Sequence, residues 1–245
     1  MVKLKDNHKI GSKMTKKASK VTTNELVLDQ SSTKLMILRE KNYFFIKRTF
    51  DIVAATLGLA LTSPILLLVA IAIKLEDGGP VFFKQIRTGK NGKDFEIIKF
   101  RSCSVKNDVK NLRTGDIYTK TGKFIRKISI DELPQLVNVL RGEMSIIGPR
   151  AWITDYYKNM NPYQRRRYNV LPGITGLAQV EGRNNLTIFE KINYDIEYIE
   201  NQSVKLDLKI LFASLGAIFS HSGVDAGKSK ISDELKDLKS HKKIR

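Results

Sequence analysis

Three stretches of this sequence predict an α+β fold built behind a membrane-seated helical element. Ile52 to Ile73 is a run of 22 residues without a charge, long enough at about 1.5 Å per residue to cross a bilayer. Val81–Arg87 and Phe95–Arg101 read as short strands joined through Asn91-Gly92, a strong hairpin signal. Leu133, Leu136, Val137 and Leu140 recur at helical spacing, and Gly142 is placed to end the helix they define. The expected organisation is a basic, weakly ordered extension over 1–45, the membrane helical element over 46–75, a small α+β domain over 76–220 and a basic tail over 221–245.

The extension is rich in Lys, Ser, Thr and Asn, and residues 1–48 carry twelve Lys or Arg against four acids. Such composition suits weak order near an anionic surface. Tyr43-Phe44-Phe45-Ile46-Lys47-Arg48 then sets aromatics beside basic residues, as the boundary between lipid and water selects. Two topologies fit the uncharged run that follows. A single span is the usual one. A helix that dips in and returns is favoured equally by Ser63-Pro64 at the midpoint, where proline removes a backbone bond and the serine hydroxyl can serve the freed carbonyl. Positive charge also flanks both ends, with Lys41, Lys47 and Arg48 before and Lys74, Lys84, Arg87 and Lys90 after.

Beyond the turn cluster Glu76–Pro80 lie the two strands, and a period of two puts Lys99 and Arg101 on one face, where they could hold a phosphate together. Residues 104–125 read as a loop with a helical piece. A helix is expected around Asp155–Arg167, whose Arg165-Arg166-Arg167 either reach lipid headgroups or substrate or are simply solvated. Leu171–Val180 is punctuated by glycine and proline but too apolar for an idle loop. Gly182-Arg183 sets another cation after a flexible position. A helix covers 187–200, and Leu208–Phe219 is too short to span but suited to lie in an interface. The last 25 residues, rich in lysine, read as a solvated tail.

The formal net charge of +18 over 245 residues implies an anionic partner: nucleic acid, acidic lipid or a phosphorylated substrate. The lone Cys103 excludes an internal disulfide and fits a reducing compartment. No apolar core with a small-residue cleavage site occupies the first forty residues, so the chain is expected on the cytoplasmic side. There is no G-x-S-x-G, P-loop, G-x-G-x-x-G or Cys/His zinc set, and His8, His221 and His241 all fall in the expected tails.

What remains for chemistry is the pair Asp131-Glu132. Ser129 could cap the helix with Glu132 completing a capping box, or Asp131 could be the cap with Pro134 in the first turn, which costs less. In either case the helix dipole and nearby Arg126 and Lys127 are expected to favour both charged forms. A carboxylate in a first turn is ordinarily just a cap. It can also attack phosphorus to give an acyl phosphate, with arginines binding the phosphate oxygens and Mg²⁺ neutralising a diphosphate.

Several blocks carry a resemblance: Lys47-Arg48-x-x-Asp51, Ser63-Pro64, Gly79–Gln85 with Arg87 and Gly89, Lys99–Ser102, Asp131–Gln135, Gly148-Pro149-Arg150 and Pro172–Gly176. Together, over about Lys47 to Phe212, they resemble the bacterial monotopic phosphoglycosyl transferases. The resemblance implies a re-entrant helix-break-helix over 46–75, broken at Ser63 and Pro64. A cytoplasmic catalytic domain would follow over 76–220, with a β-hairpin and amphipathic interfacial helices.

It implies transfer of a sugar 1-phosphate from a UDP-sugar to undecaprenyl phosphate, with UMP released, at the start of capsule, exopolysaccharide or other surface glycan assembly. Asp131 would be the covalent nucleophile, and Glu132 would assist proton transfer or, with Asp131, hold Mg²⁺. Arg126, Arg150, Lys99, Arg101 and Arg183 would bind substrate. The expected partners are these substrates and anionic membrane lipids, not nucleic acid, with downstream glycosyltransferases or a homo-oligomer besides. Cys103 stands where such proteins usually have methionine, and Ala151 where they often have a second proline. A non-catalytic basic adaptor anchored in the membrane would explain the charge and the apolar run, but not the Asp131-Glu132 site or the order of blocks.

Overall fold

The hairpin forms at its signal. In the computed structural model Asn91 and Gly92 take left-handed backbone angles, φ 58° and 75°, and turn β1 (Phe82–Thr88) back into β2 (Asp94–Phe100). The strands pair antiparallel, Phe82 opposite Phe100 and Thr88 opposite Asp94. The structure describes residues 23–105, 118–182, 185–219 and 231–242, with side chains over 42–105, 118–182, 185–216 and 231–240. Packing divides the chain after Ile46. Within the first unit the described residues are helical. Everything else below concerns the second, from Lys47 onward.

Helix α1 (Thr23–Asp77) departs from expectation in two ways. It is already helical from Thr23, inside the extension for which no helix was expected. Its helical course also continues through Ser63-Pro64, so helix-break-helix does not appear as two separate elements. The local bonding accounts for the second point: Pro64 deprives the Ala60 carbonyl of its donor, and Ser63 Oγ donates to that carbonyl at 2.8 Å, while Thr62 Oγ1 donates to Gly58 C=O at 2.6 Å.

One face of α1 docks on the domain. Ala55 and Leu59 pack with Phe95, Leu136, Val139 and Met144, and Ile73 packs with Phe100 and Ile125. Polar tethers hold both ends of its uncharged run. Arg48 donates to the carbonyls of Val139 (2.7 Å) and Leu140 (3.1 Å), capping the end of helix α3, described below. Asp51 accepts from Ser145 Oγ at 3.0 Å and from Ile146 N–H at 2.9 Å, and Lys47 pairs with Asp207 at 2.9 Å. At the other end Asp77 pairs with Arg101. The opposite face carries exposed leucines, of which Leu61 is 78% and Leu75 80% exposed.

Helix α2 (Lys120–Lys127) starts on Glu76, which accepts from the Lys120 and Thr121 amides. Gly122 then passes so close to the chain that a Cβ there would lie 2.0 Å from Ser102 O. Neither expected helix start follows. Ser129 is left-handed (φ 59°) and its side chain caps nothing, Ile130–Glu132 form a 3-10 turn, and α3 (Gln135–Leu140) begins only after Pro134. Asn138, buried on α3, accepts from Ile98 N–H (3.1 Å) and donates to Glu96 C=O (2.7 Å). One side-chain amide thus supplies the bonds a third strand would make along the outer edge of β2.

Strand β3 (Ser145–Ile147) pairs in parallel with β4 (Gly173–Thr175), drawn from the apolar segment around Pro172. The helix expected over 155–167 is three pieces: α4 (Thr154–Asn159), α5 (Pro162–Arg165) and a 3-10 turn at Arg166–Tyr168. Pro162 keeps Asn161 extended, and a capping box between Asn161 and Gln164 starts the helix again. All three arginines here have partners within the domain, and Arg167 departs from the solvated reading because it is buried. Arg165 lies over Tyr157, Arg166 pairs with Glu200, and Arg167 is buried against Asp195.

Helices α6 (Leu177–Glu181), α7 (Ile188–Glu200) and α8 (Val204–Phe219) follow. On α8, Leu208, Phe212 and Leu215 form an exposed apolar stripe. The expected tail over 221–245 needs correction, because it contains α9 (Ile231–Lys242). Leu235 and Leu238 pack with Trp152, Tyr156, Met160, Ile188 and Ile192, while Glu234 accepts from Tyr156 Oη and Lys191 Nζ. Leu235 and Leu238, three residues apart on one face, hold this helix, hidden among lysines that dominate its composition.

Candidate active site

Asp131 and Glu132 are adjacent yet sit in opposite circumstances. Left-handed Ser129 leads into the 3-10 turn that carries both. Glu132 Oε1 accepts from Lys99 Nζ at 2.6 Å and from Arg150 Nη2 at 2.8 Å. The charges of Arg150 and Lys99 outweigh the cost of burial and hold its carboxyl well below the usual carboxylate range. Asp131 is 7% exposed, and among the described residues its side chain has no hydrogen bond or ion pair. Burial, then the charge of Glu132, push its pKa up against the pull of Lys99, Arg126 and Arg150. The expectation that both charged forms are favoured therefore holds for Glu132 and fails for Asp131, where desolvation outweighs the neighbouring cations.

The expected substrate-binding residues separate. Lys99, on β2, and Arg150, after β3, converge on Glu132. Arg126, in the last turn of α2, lies over the Tyr118 ring at 4.7 Å and contributes charge toward Asp131. Arg101 does not join them. It pairs in bidentate fashion with Asp77 and donates to the carbonyls of Pro80 (2.5 Å) and Cys103 (2.9 Å), so it clamps the end of α1 instead of sharing a ligand with Lys99. Strand β2 ends at Phe100, and alternation no longer governs residue 101. Arg183 lies outside the described residues.

Two residues were quoted within the sequence blocks without a role. Arg87 and Gln135 line a small cavity of about 20 Å³ together with Lys99, Arg150, Ala151 and Gly173. Arg87 donates to Gln85 Oε1 at 2.6 Å and to Ala151 C=O at 3.3 Å, but its Nε has no partner. Burial and the charge of Arg150 push its pKa down to about 10, so it stays a cation at neutral pH. Gln135 is 2% exposed and its Nε2 is likewise without a partner, an arrangement that ordinarily costs about 1–3 kcal/mol. The signal for Gln135 was its spacing: four residues after Asp131, in the turn that leads into α3. Three cations thus surround one carboxylate that already accepts two bonds, beside a second carboxylate with no bonded partner among the described residues. The arrangement can bind anionic oxygen and present a nucleophile to it.

The family described as bacterial sugar transferase matches residues 42–221. A Bacillus subtilis protein named uncharacterized sugar transferase EpsL is 45% identical over 181 residues, covering 73% of this chain and 90% of that protein. The UDP-glucose:undecaprenyl-phosphate glucose-1-phosphate transferase of Caulobacter vibrioides is 44% identical over 186 residues, 71% of this chain and 70% of the relative. Galactosyl transferase CpsE of Streptococcus agalactiae is 41% identical over 198 residues, which make up 74% of this chain and 44% of that longer protein.

Proposed function

The chain belongs to the bacterial sugar transferase family and is a phosphoglycosyl transferase, and on that footing we propose that it passes a sugar 1-phosphate from a UDP-sugar to undecaprenyl phosphate, releasing UMP. The product would open the assembly of capsule, exopolysaccharide or another surface glycan. The observation that carries this reading is Asp131, a buried carboxylate near three cations and with no bonded partner among the described residues.

In the first half-reaction an Asp131 oxygen attacks the sugar-bearing phosphorus. The bond from that phosphorus to the bridging oxygen breaks, and UMP leaves with the electron pair. In the second, an oxygen of undecaprenyl phosphate attacks the same phosphorus and Asp131 departs as carboxylate. Lys99 and Arg150 place positive charge beside the transferred group. Glu132, held ionised by both, is a weak proton acceptor, which favours a cation-holding role over proton transfer. Mg²⁺ suits the free donors, Asp131 and Glu132 Oε2, since its sites use one or two carboxylates with substrate phosphates. No cluster of three Asp, Glu, His or Cys occurs among the described residues, so phosphate oxygens would complete its shell. Bound there, it would neutralise diphosphate charge.

Membrane association on the cytoplasmic face belongs to the same reading. Helix α1 is long and apolar enough to cross a bilayer, but tethers at Lys47, Arg48 and Asp51 and again at Asp77 tie both ends of the uncharged run to one domain. The exposed leucines between them then meet lipid from one side, with the α8 stripe at the interface. Thiol probes near residues 40 and 80 should label from the same face of sealed vesicles, and labelling from opposite faces would overturn the topology.

The reaction is tested by UMP release from purified protein given Mg²⁺, undecaprenyl phosphate and a panel of UDP-sugars. Release with one donor is expected. Folded protein that releases UMP from none, and binds nucleic acid with steep salt dependence, would favour the basic adaptor.

A further inference from the structure

Gln135 is the anomaly of the site. Its amide is buried with Nε2 unbonded. Arg87 Nε, in the same cavity, is equally without a partner. Buried polar groups in folded proteins almost always find partners, so two orphaned donors on residues that line one cavity point to a ligand that supplies acceptors.

The lining says what kind. Lys99 and Arg150 share Glu132 Oε1, so the cavity presents a surplus of donors and of positive charge. Sugar hydroxyls and nucleobases carry donors of their own and call for acceptors in return. A phosphoryl group offers only acceptor oxygens and negative charge. We propose that Arg87 and Gln135 complete, with Lys99 and Arg150, a phosphoryl-binding pocket beside Asp131, in which a substrate phosphate accepts from Gln135 Nε2 and Arg87 Nε. This rests on the phosphoglycosyl transferase reading and adds two substrate-binding residues to it. The phosphate comes from either the nucleotide diphosphate or the lipid phosphate, which share this chemistry.

The test uses full-length protein in lipid nanodiscs carrying Gln135→Leu or Gln135→Glu. With no bond to lose, Gln135→Leu should melt at or above the wild-type temperature, whereas a structural glutamine would make it melt lower. Titration with pyrophosphate and with UMP should show affinity at least tenfold weaker in Gln135→Leu and weaker still in Gln135→Glu. In turnover, a raised KM for the UDP-sugar alone assigns the pocket to the donor, and a raised KM for undecaprenyl phosphate alone assigns it to the acceptor. A rise in both means that one pocket serves the two half-reactions in turn. Unchanged binding of both anions together with unchanged KM for both substrates would overturn the pocket. Wild-type protein that binds pyrophosphate through Gln135 but releases UMP from no donor would instead retire the transferase reading and leave the pocket standing.

Discussion

Asp131→Asn is expected to lower transfer by at least about 10⁴-fold, on the scale of nucleophile removal in other enzymes, while the protein melts at the same temperature or higher at neutral pH. The two effects have one cause. A nucleophile must keep its lone pairs unencumbered, and Asp131 has no bonded partner to lose. Its pKa is raised in the fold by burial and by Glu132, so the neutral form is the better accommodated one. Ionisation then costs stability as pH rises from the unfolded value through the raised folded value. Below the unfolded value both proteins carry a neutral side chain and should melt alike. Above the folded value only the wild type bears a buried charge. Transfer itself should show an acid limb above the ordinary carboxylate range. UMP release and thermal melts between pH 4 and 8 check all of this. An Asn variant that melts well below wild type at pH 7 would mean that the carboxylate is a cap after all.

That test settles what the sequence left open at this position, and the reason it was open is physical. Spacing showed a helix after Asp131-Glu132, but not that Lys99, 33 residues away, and Arg150, 18 residues away, would both take the same oxygen of Glu132. Local pattern was reliable where the determinants are local: the Asn91-Gly92 reversal, the two strands, the α7 helix with its Thr187 and Glu190 capping box. It failed where a charge is consumed across the fold. Arg101 looked like a partner for Lys99 and is spent on Asp77. Arg167, one of three consecutive arginines read as reaching lipid or substrate or as solvated, is buried on Asp195. In α9 the count of lysines concealed Leu235 and Leu238. Asn138, flanked by two valines, gave no sign that it would close the edge of β2. In each case composition reported what a side chain is, while burial and a partner distant in sequence decided what it does.

Arg167 is the strongest instance, and breaking its pair should give the largest loss of stability. The guanidinium and Asp195 are 1% and 2% exposed and meet at 2.7 Å. Arg167 also lies over the Trp152 ring at 3.7 Å and donates to the Arg150 carbonyl at 2.8 Å. Asp195→Ala strands a buried cation and is expected to cost about 3–5 kcal/mol, lowering the melting temperature on the order of 10 °C. Arg167→Met with Asp195→Leu removes both charges and should recover most of that loss, because an apolar pair of similar volume escapes the desolvation that the ion pair bears. Activity should not recover with it. The bond from Arg167 fixes the backbone that carries Arg150, and Arg150 shapes both Glu132 and the cavity beside it. A double variant that melts near the wild type but shows a raised KM would make Arg167 a positioning residue. Wild-type kinetics in the same variant would reduce the pair to core packing, with Arg150 held by Glu132 alone.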